Sequence, residues 1–89
     1  MTNGVRYRIE DADEVFDRVN EHASAASRMD FEARLDEIAN DPYPGDADIF
    51  PYKDDDKPNS FTASFGDGLV VYQVMLDHPI IFLWDALLY

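Results

Sequence analysis

Val5-Arg6-Tyr7-Arg8-Ile9 alternates apolar and charged residues, which puts Val5, Tyr7 and Ile9 on one side of a half-buried strand and the arginines on the other. Asp11 followed by Glu14 reads as a helix start, a carboxylate version of the capping box. Val15, Phe16, Val19, Ala23 and Ala26 then recur at helical spacing, predicting a helix over residues 12–27. Phe31, Leu35 and Ile38 repeat the spacing on a different face. The two stripes point more than about a quarter turn apart at ~100° per residue, so one straight helix cannot bury both. Ser27 with Asp30 offers a fresh cap, so a second helix is expected over 28–40. Asn40-Asp41-Pro42-Tyr43-Pro44-Gly45 stops it.

A polar stretch, residues 46–59, follows as an acidic loop, and Ile49-Phe50-Pro51-Tyr52 inside it is a candidate short strand or anchor. From Phe61 onward the pattern is all strand. Phe61, Ala63 and Phe65 alternate with Thr62 and Ser64, and Gly66-Asp67-Gly68 is a hairpin turn. Residues 69–76 form a nearly unbroken apolar run, as in a central strand covered on both faces. Asp77-His78-Pro79 is the next turn, and 80–89 is the last strand. The expected fold is α+β, ordered β-α-α-β-β-β, an antiparallel sheet with a helical hairpin on one face.

Composition narrows this to a single domain over residues 1–89. A chain of this size buries about 64% of its unfolded surface, enough for one modest core. It has no cysteine, hence no thiolate nucleophile and no finger-type zinc site. The opening MTNGVRYRIE lacks an apolar signal segment and the apolar stretch near the end is too short to span a bilayer, so a cytoplasmic location and no membrane partner are expected.

Charge changes the picture most. Nineteen acidic side chains against seven basic give −12, and from Pro58 onward there are three aspartates and no lysine or arginine. A field of this sign repels phosphate backbones, which makes direct nucleic-acid binding unfavourable. It suits a solvated acidic surface, docking to a basic partner, or imitation of nucleic acid.

Candidate chemistry is sparse. His22 sits on the flank of the first helix and His78 in a turn, so no nucleophilic triad is proposed. Asp46-Ala47-Asp48 begins like a calcium loop, but Pro51 stands where glycine is needed and Lys57 where a bidentate glutamate is needed. Asp54, Asp55 and Asp56 diverge as neighbours and cannot all serve one ion, so no metal and no cofactor is expected. Asp85 interrupts the apolar run of the last strand, on the face carrying Ile81, Leu83 and Leu87. It sits either at a solvent-open strand end or as a buried acid with a raised pKa.

Ser60-Phe61-Thr62-Ala63-Ser64-Phe65-Gly66-Asp67-Gly68-Leu69-Val70-Val71-Tyr72-Gln73-Val74 resembles the second and third strands of the RelE/ParE toxin superfamily, most closely at Val71-Tyr72-Gln73-Val74. Ile49-Phe50-Pro51-Tyr52-Lys53 is similar to that family's apolar-basic segment after its helical hairpin, and Ile80-Ile81-Phe82-Leu83 to its last strand. The resemblance covers ~80 residues through motifs that are mainly hydrophobic. It implies the toxin half of a toxin–antitoxin pair. In that family the RelE branch cuts ribosome-bound mRNA with lysines, arginines and often a C-terminal tyrosine, and the ParE branch poisons DNA gyrase. This chain has Leu69 where the family has an arginine. Lys53 and Lys57 are the basic candidates for that family's catalytic residues, and Tyr89 is the candidate for its terminal tyrosine.

The expectation is therefore a toxin-type protein that binds protein without efficient RNA cleavage, its partner a cognate antitoxin, another protein or a second copy. The rival is an acidic decoy or docking module that occupies a basic nucleic-acid-binding protein. The expected partner surface combines Phe82, Trp84 and Leu88, on one face of the last strand, with Asp54, Asp55 and Asp56 of the loop.

Overall fold

The computed structural model describes residues 6–10, 12–43, 49–51, 58–75 and 77–88. Seven elements follow one another: β1 (Arg8–Glu10), α1 (Asp13–His22), α2 (Ala25–Asn40), β2 (Ile49–Pro51), β3 (Ser60–Phe65), β4 (Gly68–Val74) and β5 (Ile80–Leu88). The strands form one sheet in the order β1-β5-β4-β3-β2. The architecture is α+β as expected, but the sheet is mixed. β2 to β5 are antiparallel neighbours, whereas β1 lies parallel to β5, with Ile9 opposite Ile81. Short turns force antiparallel pairing within the meander; β1 has no turn to its neighbour, so no local connection fixes its direction.

The helical stretch breaks where the stripe breaks, three residues earlier than the local signals suggest. α1 ends at His22 and Ala23 is extended. Ser24, rather than Ser27, caps α2: its backbone is extended and its hydroxyl accepts from the Ser27 N–H at 3.1 Å. At the other end of α1 the N-cap is Ala12, which makes no side-chain cap bond. Asp13 and Glu14 favour that end through the helix dipole. Asp11, the expected cap, lies outside the described residues.

Both helices pack on one face, α1 against β5 and α2 against β3. The Phe16 and Phe31 rings meet edge-on at 5.5 Å, and Phe31 meets Phe65 at 4.9 Å. Val15 and Val19 of α1 and Phe31, Leu35 and Ile38 of α2 close over Ala63, Val70, Tyr72, Val74, Ile81 and Leu83. Polar ties join the layers as well, among them those of Tyr72 and Ser27. The Tyr72 hydroxyl, in the central strand, donates to the Pro42 carbonyl at 2.6 Å. Ser27, buried in the first turn of α2, donates to the Asp67 carboxylate at 3.1 Å and so anchors the β3–β4 turn. That turn needs Gly66: its φ is +38°, and an added Cβ would lie 2.9 Å from the Ser27 Oγ.

Candidate docking surface on the last strand

β1 covers only Ile80, Ile81 and Phe82 of β5. From Leu83 to Leu88, β5 has β4 on one side and, among the described residues, no strand on the other. The ladder shifts register here: Tyr72 faces Leu83, and the next residue back, Val71, faces Asp85. Trp84 is the extra residue of a β-bulge, and a bulge reverses the inside–outside alternation beyond it.

That reversal corrects the expected patch. Ile81 and Leu83, before the bulge, and Ala86, after it, are buried toward the helices, and Leu88 packs against the same core. Leu88 therefore does not share a face with Phe82 and Trp84. Leu87 takes its place, 49% exposed, beside Trp84 at 47% and half-buried Phe82. Simple alternation predicts the opposite, because nothing in the local sequence marks the extra residue. Gly68, opposite Leu88, permits the tight approach: an added Cβ would come 2.6 Å from the Leu87 carbonyl oxygen.

The indole of Trp84 is tethered. Its Nε1 donates to the Gln73 Oε1 at 3.1 Å, and the Gln73 Nε2 donates to the Pro58 carbonyl at 2.9 Å. Half-buried Leu69 is paired with Leu87 across the same sheet. Together they present an apolar surface on the side of the sheet away from the helices.

Asp85 takes the solvent-open option. Its side chain is 45% exposed, and it pairs with Arg18 of α1, itself 51% exposed. The Asp85 Oδ1 also accepts from the Ala86 N–H at 2.8 Å, while the Arg18 Nη1 lies 3.4 Å from the Ala86 carbonyl oxygen. The pair thus fills both main-chain groups of Ala86 on the bare edge. Exposed pairs of this kind contribute only about 0.2–1 kcal/mol. A shallow groove lies on either side of it. One, of about 370 Å³, runs between Asp13, Glu14 and Val15 of α1 and Phe82, Leu83 and Trp84 of β5. The other, of about 450 Å³, is lined by Arg18, His22, Ala86, Leu87 and Leu88.

Lys53, Lys57, Tyr89, Asp54, Asp55 and Asp56 lie outside the described residues. The arginines are dispersed, each with its own partner. Arg6 bonds Asp36 at 2.6 Å and Asn40 at 2.9 Å; Arg34 bonds the Ser64 carbonyl at 2.7 Å and Glu37 at 2.8 Å. Arg28 reaches the Asn20 carbonyl at 3.3 Å, and Arg8 sits 3.6 Å from Glu10. His22 is exposed at the end of α1 and His78 in the β4–β5 turn. No group of three metal-ligating side chains occurs among the described residues. Away from the groove, burial raises the Tyr7 phenol pKa above its ordinary value, and the neighbouring Tyr43 and the Asp41 carboxylate push it the same way.

No helix among the described residues is long and apolar enough to cross a membrane. Compared with protein-family models, curated proteins and solved structures, the chain finds no match in any of the three.

Proposed function

We propose that this chain is a RelE/ParE-like, toxin-type protein of a toxin–antitoxin pair that acts by binding another protein and does not cut RNA efficiently. The observation that carries the protein-binding part is the apolar surface of β5, where Trp84 and Leu87 are each about half exposed beside Phe82. Contiguous apolar exposure with a polar rim marks an interaction site. The toxin-type part rests on the element order, two helices followed by a meander, together with the resemblance of its strands.

Charge argues against cleavage. Stabilising a phosphodiester transition state takes cations that converge on one point. The five described arginines instead engage separate partners on β1, β3, β5 and both helices. The helices meanwhile expose Asp13, Glu14, Asp17, Glu21, Glu32, Asp36 and Glu37, which repel a polyanion. These same acids favour the second reading, an acidic decoy for a basic nucleic-acid-binding protein.

Induced expression in a bacterial host tests both. The expected result is growth arrest without ribosome-dependent mRNA cleavage, relieved by the double change Trp84→Glu and Leu87→Glu in a protein that still folds by circular dichroism. Robust mRNA cuts that vanish with Lys53→Ala or Tyr89→Phe would overturn the proposal. Growth unaffected by expression, with a basic nucleic-acid-binding protein held stoichiometrically, would replace it with the decoy.

A further inference from the structure

We infer that the bare edge of β5 receives an extended, basic segment of the partner protein as an added strand, held beside α1. This rests on the protein-binding reading above and specifies the partner's shape and charge.

The main chain defines the shape. Ala86 turns both its N–H and its C=O away from β4, and both are filled by the Asp85 carboxylate and the Arg18 guanidinium. One donor and one acceptor on a single residue is what a neighbouring strand supplies, so the ion pair occupies a strand-shaped vacancy. Both side chains are about half exposed, and a pair so exposed opens easily. An incoming strand replaces the two contacts with its own backbone and gains further ones along residues 83–88.

The side-chain environment defines the chemistry. Alternate residues of a strand lie ~6.6 Å apart on one face, which lets two of them enter the grooves flanking the ion pair. The first groove brings the Asp13 and Glu14 carboxylates beside the Phe82–Trp84 stretch of β5, and so fits a lysine or arginine whose cationic head reaches those acids. The second, between His22 and the Ala86-Leu87-Leu88 run, fits an apolar residue. Once the strand docks, Asp85 can exchange Arg18 for a cation of the partner. A second copy of this chain is the wrong occupant: joining two β5 edges would bring Asp13, Glu14, Asp17 and Glu21 of one α1 toward those of another, in a chain of charge −12.

The test titrates three synthetic peptides into the full chain and reads emission from Trp84, the single tryptophan. One repeats Lys-Thr-Val-Thr, which puts lysine and valine in turn on one face, one repeats Glu-Thr-Val-Thr, and one is the lysine peptide with alternate backbone nitrogens methylated. The expected result is saturable one-to-one binding of the lysine peptide. Methylation should weaken binding at least about tenfold, since it removes strand hydrogen bonds and leaves charge intact. Amide exchange at Ala86 should slow in the complex, and the glutamate peptide should not bind. Equal affinity for the methylated peptide, or an unprotected Ala86 amide, would reduce the interaction to diffuse charge attraction and overturn the inference. Peptide-free sedimentation as a dimer that protects the Ala86 amide would overturn it in favour of a second copy. If the lysine peptide fails while growth arrest still depends on Trp84 and Leu87, strand addition falls and the protein-binding reading stands; loss of that dependence removes both.

Discussion

The Ser27 hydroxyl donates to the Asp67 carboxylate at 3.1 Å, joining the first turn of α2 to a hairpin turn forty positions further along. The Asp67 N–H points back at the same oxygen from 3.4 Å. A helix start and a β-turn are thereby fixed to one another, which sets the tilt of α2 over β3.

Ser27→Ala should cost about 1 kcal/mol, the net worth of such a bond. Gly66→Ala should cost more, about 1–2 kcal/mol from the left-handed backbone alone, plus the clash with Ser27. Urea denaturation of both single variants and of the double variant checks this. The two losses should fall short of additive, because removing the hydroxyl makes room for the new methyl.

Tyr72→Phe leaves the Pro42 carbonyl without its 2.6 Å donor. A buried acceptor stripped of its partner costs about 1–3 kcal/mol. A lowered denaturation midpoint with an unchanged slope is expected. Ile38→Ala, at a fully buried site, should cost about 2–5 kcal/mol and serves as the upper reference.

Alkaline pH should destabilise the fold through Tyr7. Its pKa is raised in the folded state, chiefly by burial, so the native chain keeps a proton that the unfolded chain releases near pH 10. The contribution is fully present below pH 10 and is lost as pH rises through the folded-state value. Tyr7→Phe should flatten this part of the stability–pH curve, and ultraviolet difference titration against the parent should assign the late-titrating phenol.

Added salt should stabilise the chain. Eight acids on the two helices face three arginines, Arg18, Arg28 and Arg34, and screening relieves the excess repulsion. The melting temperature should rise from low salt to about molar sodium chloride. A fall would mean that the arginine pairs outweigh the repulsion.

Much of the fold was legible because it is written in local periods. The helical stripes at Val15–Val19 and Phe31–Leu35–Ile38, the Gly66-Asp67 turn and the Asp77-His78-Pro79 turn all appear where their residues place them. The misread features depend on partners remote in sequence. Ser24 and Ser27 both suit a cap locally; Ser24 takes it, and Ser27, inside the helix, meets an Asp67 that lies remote in sequence. The bulge at Trp84 depends on register with Val71 and Tyr72, so the outward residues cannot be read from β5 alone, and simple alternation puts Leu88 on the wrong side. The parallel placement of β1 likewise has no local signal. Asp85 was conspicuous as a charge within an apolar run, yet its partner Arg18 lies sixty-seven positions away.

The parallel pairing of β1 with β5 also constrains when the molecule can be completed. Arg8, Ile9 and Glu10 take their places beside Ile80, Ile81 and Phe82, so the earliest strand of the chain waits for the latest. Closing so long a loop is an entropic barrier that local hairpins do not face, and topologies of this kind fold slowly. During synthesis α1, α2 and the β3–β4 hairpin can form as they emerge, but the sheet edge that β1 fills stays missing until the ribosome has released β5. A nascent chain stalled before Ile80 therefore carries a helical layer with part of its floor absent, exposing Val15 and Val19 to chaperones and proteases.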